Sequence, residues 1–189
     1  MKSLLLFLLL LAPLTLLAQE EPEEKLSHHA LGLSASMLSS PGISYQYIFN
    51  DDHRIKLTAF GFYEKDPSYS SSLTAIVGGE YQFTLARSRI TRFYLEAGGY
   101  YWHEKSEYTS TSYPEEIQYT SVNKYTTVAG GAGIGIEVAI DRHFLISIDG
   151  SLLYRNQKRT YTDDYYYSDP NTPTEYFGPG IGFAVYYRF

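Results

Sequence analysis

Residues 183–189, FAVYYRF, end the chain with a strict alternation of side-chain types. In an extended strand, successive side chains point to opposite faces, so odd-numbered and even-numbered residues lie on different sides. The odd-numbered side is entirely apolar or aromatic and consists of Phe183, Val185, Tyr187 and Phe189. The even-numbered side carries the charged Arg188. This pattern predicts a strand with two unlike faces that stays ordered up to its last residue.

The same alternation recurs along the chain and predicts eight strands. The segments are 29–39, 43–49, 55–63, 73–83, 93–102, 128–138, 144–154 and 176–189. If the apolar residues define the outward face of each strand, the charged residues collect on the inward face: Lys56, Glu80, Glu96, Glu137, Asp149 and Arg188. A soluble barrel points its apolar residues inward, so the predicted barrel is inverted.

An outward apolar band is tolerated in lipid, where a closed barrel pairs every backbone N–H and C=O group internally. The connections after strands two, four and six are short, whereas 104–123 and 156–175 are long and polar. Short turns at one end and long loops at the other are typical of outer-membrane barrels, as are aromatic girdles at both ends of the outward face. The sequence therefore predicts an all-β fold, an eight-stranded antiparallel up-and-down transmembrane β-barrel.

The first residues of the chain predict export. Residues 1–18 combine Lys2, a long apolar core and Ala18 at the cleavage position, which is the layout of a secretory signal peptide. An uncleaved membrane anchor is the alternative, and the polar residues after Ala18 favour cleavage. We expect residues 19–27 to form a short acidic periplasmic leader and residues 28–189 to form the barrel.

Composition excludes several classes of protein. The chain contains no cysteine, which rules out a disulfide framework, and its net charge of −6 argues against a nucleic-acid partner. The adjacent His28 and His29 do not predict a metal site, because neighbouring residues on a strand point to opposite faces. The sequence predicts no cofactor.

These features together resemble the small eight-stranded outer-membrane barrels of the OmpA/OmpX type. The resemblance implies a location in the outer membrane of a Gram-negative-type bacterium, in contact with outer-membrane lipid and lipopolysaccharide. In that family the barrel-assembly machinery reads the last strand, and the matching positions here are Phe183, Val185, Tyr187 and Phe189. We expect a monomer that consists of the barrel alone, without a peptidoglycan-binding domain.

The interior of an eight-stranded barrel is just wide enough for side chains to fill it. Isolated buried charges are costly, so charged residues in this space are expected to pair. The predicted network comprises Lys56, Glu80, Glu96, Glu137, Asp149, Arg155 and Arg188. A structural network that fills the lumen and an ion or proton path that opens when a pair exchanges partners both fit this pattern.

The long loops are the predicted site of surface binding. They are rich in tyrosine, with binding candidates Tyr108, Tyr113, Tyr119, Tyr161, Tyr165, Tyr166 and Tyr167. Tyrosine offers rigid, amphipathic contact area at low entropic cost, and the interleaved carboxylates can bridge lipopolysaccharide phosphates through divalent cations. A solvated, partly ordered rim is the other interpretation. We predict a structural outer-membrane protein or one that binds an extracellular ligand through these loops.

Two other functions fit parts of the pattern. Some small outer-membrane barrels hydrolyse or transfer lipid A acyl chains, which requires a serine, a histidine base and an acidic residue at the rim. His103, beside Glu104 and near Ser106 and Ser110, is the candidate combination at the outer end of strand five. A secreted soluble lipocalin-like barrel is the second alternative.

Overall fold

The computed structural model describes residues 28–66, 70–112, 117–163 and 173–189. These ranges form eight strands: β1 His29–Ser36, β2 Ser40–Ile48, β3 His53–Asp66, β4 Ser70–Arg87, β5 Thr91–Ser112, β6 Ile117–Ala139, β7 Phe144–Asp163 and β8 Thr174–Arg188. Each strand pairs antiparallel with the next, and β1 also pairs with β8, which closes the ring. The predicted eight-stranded antiparallel barrel is confirmed. No helix within the described ranges is long and apolar enough to cross a membrane.

The two ends of the barrel differ in how the strands are connected. At one end, here called the turn end, the short segments 49–52, 88–90 and 140–143 join β2 to β3, β4 to β5 and β6 to β7. Asp141 stabilises the last of these turns, because its Oδ1 accepts the backbone N–H groups of Phe144 at 2.7 Å and His143 at 2.6 Å. These donors hold the pKa of the Asp141 carboxyl below its ordinary range. The opposite end, the loop end, carries the connections that follow β1, β3, β5 and β7.

Several strands extend much further toward the loop end than the sequence predicted. Residues 104–123 belong mostly to strands, since β5 continues to Ser112 and β6 begins at Ile117, with 22 and 23 residues respectively. β7 likewise continues through 156–163. The residues of these extensions are mostly polar in the sequence, so no apolar alternation marks them as strands. Their threonines and tyrosines nevertheless favour extended backbone, and the main-chain ladder continues through pairs such as Tyr108↔Ser121.

The faces of the barrel have opposite polarity. Outward-facing Leu33, Ile134 and Ile181 are 68%, 63% and 73% exposed. Inward-facing Lys56 and Glu80 are only 1% and 2% exposed. A broad apolar band on the exterior around a charged interior is the reverse of a soluble lipocalin-like barrel, whose apolar side chains fill the interior.

The β1–β2 turn at 37–39 folds across the loop end of the interior. The backbone N–H of Met37 donates to the carbonyl of Ile181 on β8 at 3.1 Å. The carbonyl of Ser39 lies against Gly78 on β4, where a Cβ atom would overlap it. Leu38, between these two contacts, is fully buried. The turn therefore spans the interior from β8 to β4 and limits its depth. The sequence predicted that the first strand continues to residue 39, whereas β1 ends at Ser36 and β2 begins at Ser40.

Candidate functional site

A cluster of ion pairs fills the turn end of the interior. Glu137 on β6 accepts hydrogen bonds from Arg54 Nη1 at 2.7 Å and from Arg92 Nε at 3.3 Å. All three side chains are at most 5% exposed. Arg92 also donates to Gln82 Oε1 at 2.6 Å and stacks its guanidinium 4.4 Å from the centre of the Tyr94 ring. The cluster thus connects strands β3, β4, β5 and β6 through buried side chains.

Arg54 and Arg92 are absent from the predicted network. Each lies one residue before the predicted start of its strand and was therefore left outside the predicted inward face. Extending the alternation of β3 and β5 by one residue places both arginines on the inward face. The alternation of side chains, continued one residue toward the turn, is thus the sequence signal that identifies Arg54 and Arg92 as inward-facing.

A second group of charges lies nearer the loop end. Lys56 Nζ and Glu80 Oε2 are 2.7 Å apart, and both side chains are buried. Glu80 also accepts a hydrogen bond from Ser36 Oγ at 3.2 Å. Glu96 and Asp149 share this level of the interior with them and interact electrostatically with Lys56. The Glu96 and Asp149 carboxyl groups interact with each other, and both oxygens of Glu96 and Oδ1 of Asp149 are buried without any other hydrogen-bond partner among the described residues.

Carboxylates therefore outnumber cations in this second group, where Glu80, Glu96 and Asp149 face Lys56. Close packing accompanies the charges, because the Asp149 carboxylate lies directly against Gly182, where it occupies the space of a Cβ atom. Within the described residues, no group of three or more histidine, cysteine, aspartate or glutamate side chains is arranged to hold a metal ion. The arrangement fills the cross-section of the barrel with charged and polar side chains.

The two remaining charges of the predicted network lie at opposite ends of the barrel. Arg155 is half-buried toward the loop end, with its guanidinium 5.2 Å from the centre of the Tyr176 ring. Arg188 is half-buried at the turn end, where its charge interacts with Glu137. The predicted residues thus occupy several levels of the interior and do not form one continuous cluster.

The last strand contributes to an aromatic belt around the turn end. Tyr187 stacks on His143 with ring centres 5.4 Å apart, and Phe189 stacks on His29 at 6.2 Å. Phe183 is also exposed on this outward face, and Val185 is half-buried there. The histidines are an unpredicted part of the belt, since the sequence analysis assigned His143 to a turn.

The loop-end tyrosines are only partly described by the structure. Tyr108 is 55% exposed, and Tyr161 Oη donates to Ser121 Oγ at 3.5 Å. The side chain of Tyr119 lies outside the described residues, as do Tyr113, Tyr165, Tyr166 and Tyr167. The described tyrosines lie on strand extensions, whereas the sequence predicted a loop for them.

The candidate combination for lipid A chemistry is divided between the two faces of β5. His103 points outward, where its Nδ1 lies 3.3 Å from Thr126 Oγ1 and its ring stacks on Tyr101 at 6.4 Å. Ser106 has the opposite parity and is buried. These two side chains therefore lack the geometry in which a histidine activates a serine. The side chain of Ser110 lies outside the described residues.

No protein-family model matches the sequence, and no curated protein sequence matches it significantly. Among solved structures, the chain is similar to CarO2 and CarO of Acinetobacter baumannii, at 7% and 8% sequence identity with TM-scores of 0.44 and 0.43. These similarities cover 88% and 89% of this chain and 100% of both other chains. The chain is also similar to Ail, the attachment invasion locus protein of Yersinia pestis, at 18% identity over 85% of this chain and 93% of that one, with a TM-score of 0.37. Sequence identities and TM-scores this low concern the fold alone and identify neither a family nor a function.

Proposed function

We propose that this chain is an outer-membrane β-barrel protein with a closed interior, which binds a partner or ligand at the cell surface through its loop end. The observation that carries the proposal is the inverted polarity of the barrel. Large apolar side chains are exposed on every strand, while seven of the described charged side chains on β3 to β7 are buried: Arg54, Lys56, Glu80, Arg92, Glu96, Glu137 and Asp149. A closed barrel of this kind is stable in a bilayer, where the apolar face meets lipid tails and all ladder hydrogen bonds are internal.

The dimensions of the barrel support a membrane location. A spanning strand needs about 9–11 residues when tilted. β1, with 8 residues, falls one residue short, and β2 to β8 have between 9 and 23 residues. The aromatic belt at the turn end, which includes Tyr187 and Phe144, suits the boundary between lipid tails and headgroups. At the other end, Tyr101 and Tyr154 are outward and exposed in the same way. The strand extensions beyond them consist mostly of polar residues, which suits segments in water.

The buried ion pairs support a closed lumen. Glu137 with its two arginines and Lys56 with Glu80 lie across the interior at two levels, and the β1–β2 turn covers the loop end. Opening a water-filled path would require these pairs to separate, which is costly for buried charges. We therefore assign the interior a structural role and the loop end the binding role. On this proposal the partners are membrane lipid, lipopolysaccharide and the assembly machinery.

Membrane fractionation tests this proposal. The full chain is expressed in a Gram-negative host, and outer membranes are separated from periplasm and inner membrane. We expect the protein in the outer-membrane fraction after a urea wash, with a gel mobility that changes on heating because the closed barrel resists detergent unfolding. Recovery in the periplasmic supernatant without a heat-dependent shift would show that the chain is a soluble barrel.

A further inference from the structure

A pocket of about 400 Å³ opens at the loop end of the interior. Its walls come from three adjacent strands and carry the aromatic side chains of Tyr100, Trp102 and Tyr125. Polar side chains of Glu104, Arg155 and Gln157 lie between and beside these rings. The volume lies within the ~300–1,000 Å³ range of small-molecule sites, which combine apolar walls with a few polar groups that fix orientation.

The strand register explains how these residues converge. Trp102, Thr127 and Gln157 are partners across β5, β6 and β7, so they form one row of inward-facing positions. Tyr125 pairs with Glu104 in the next row toward the loop end. The row on the turn-end side of Trp102 contains Tyr100 and Arg155, on either side of Ala129. Trp102 is therefore flanked on both sides by rows that contain an aromatic ring and a charged group.

The pocket is open on one side of the barrel because the wall has unequal height. β1 pairs with β8 only as far as Ser36↔Gly182, and β2 pairs with β3 only as far as Ile43↔Ala59. β5 and β6 remain paired to Ser112↔Ile117. The tall wall of β5, β6 and β7 therefore carries the pocket opposite a low rim.

A neighbouring ring holds one polar group of the pocket in place. The Arg155 guanidinium lies 5.2 Å from the centre of the Tyr176 ring. The guanidinium of Arg159, two rows above Arg155 on β7, lies 5.2 Å from the ring of its row partner Tyr125. Stacking of this kind restricts a guanidinium while its N–H donors remain available in the ring plane. The pocket thus combines aromatic faces with one guanidinium restrained by a ring and with the further polar side chains of Glu104 and Gln157.

We propose that this pocket binds a neutral saccharide, with one pyranose ring stacked on Trp102. A pyranose presents C–H groups on one face, which match the electron-rich face of an indole, and hydroxyl groups around its edge. Those hydroxyls both donate and accept, and the pocket offers an acceptor in Glu104, a donor in Arg155 and both in Gln157. One acid and one base among the lining residues favour an uncharged ligand over a polyanion, and the polar rim disfavours a lipid chain.

This inference rests on the proposed function, because a surface saccharide reaches the pocket only if the loop end faces the outside of the cell. Trp102 is the single tryptophan of the chain, so intrinsic fluorescence reports directly on the pocket. The folded full chain is purified in a zwitterionic detergent without a sugar headgroup. It is titrated with neutral disaccharides of glucose, galactose and N-acetylglucosamine, and with glycylglycine for comparison.

We expect a saturable change in Trp102 emission with at least one disaccharide, at a Kd of about 1 mM or tighter. Tyr125→Ala keeps the reporter and should weaken this binding about threefold to tenfold through lost aromatic contact. The matched control is Tyr63→Ala, which removes an exposed tyrosine from the outward face of β3 and should leave the Kd unchanged. Heat-dependent gel mobility confirms that each variant is folded.

The saccharide proposal is overturned if no disaccharide gives a saturable change, if glycylglycine binds more tightly, or if Tyr125→Ala binds as the unaltered chain does. These outcomes are separate from the test of membrane location. A chain found in the periplasm that still binds a disaccharide refutes the membrane proposal alone. If the chain is found in the outer membrane and no disaccharide changes its Trp102 emission, only the saccharide proposal is refuted.

Discussion

Removal of Glu137 tests whether the buried ion pairs stabilise the barrel. Glu137→Ala leaves the guanidinium groups of Arg54 and Arg92 buried without their shared carboxylate. The lost hydrogen bonds measure 2.7, 3.3 and 3.4 Å. A hydrogen bond to a charged group contributes about 1.5–3 kcal/mol, and the two long ones contribute only a fraction of that. The sum is ~3–5 kcal/mol of unfolding free energy, which agrees with the cost of breaking buried pairs.

The measurement is urea unfolding in lipid vesicles, with the folded fraction read from heat-dependent gel mobility. Asp51→Ala is the matched control, because it breaks an ion pair to Arg87 whose side chains are 41% and 80% exposed. Exposed pairs contribute about 0–1 kcal/mol. The reasoning is refuted if Glu137→Ala costs no more than Asp51→Ala. Replacing all three buried charges together by Met or Leu should recover much of the lost stability, since no unpaired charge then remains.

Three further outcomes are expected from the same unfolding assay. Lys56→Met and Glu80→Gln should each destabilise the barrel. The double variant should lose at least about 0.5 kcal/mol less unfolding free energy than the two single variants lose together, because the two side chains interact. Losses that simply add would show that this pair is not coupled. Gly135→Ala should cost about 1–3 kcal/mol because an aromatic ring occupies the Cβ position, whereas Gly150→Ala, with no atom within 4 Å, should change stability by less than about 1 kcal/mol. Asp141→Asn should destabilise the barrel at neutral pH, because the pKa of this carboxyl is lower in the folded than in the unfolded chain and the charged form therefore favours folding. The stability difference between the two proteins should shrink as the pH falls below about 3.9, the pKa of an unfolded aspartate, and should disappear below the folded pKa. A stability difference independent of pH would contradict this assignment.

The alternation of side chains was sufficient to predict the fold. Strand parity requires only that residues two positions apart share a face, and it correctly located Lys56, Glu80 and Glu96 on the inward side. The same rule failed at strand ends. Arg54 and Arg92 follow directly on turns, where polar residues are expected whether or not they point inward.

Features that depend on strand register could not be predicted from the sequence. Trp102 and Gln157 are far apart in the chain and share one row only because β5, β6 and β7 pair in a particular alignment. The strand extensions were missed for a different reason. These extensions are stabilised in water by main-chain hydrogen bonds and by side chains that favour extended backbone. Neither of these produces an apolar periodicity in the sequence.

The seam between β1 and β8 has a kinetic consequence. These strands pair over seven positions, from Ala30↔Arg188 to Ser36↔Gly182, whereas β5 follows β6 along 22 residues. The seam joins opposite ends of the chain, so its pairing must wait until the intervening strands are ordered. We expect this short ladder to form last during folding and to separate first during unfolding. Its few hydrogen bonds then set the lifetime of the closed barrel, even though the longer hairpins contribute more to its total stability.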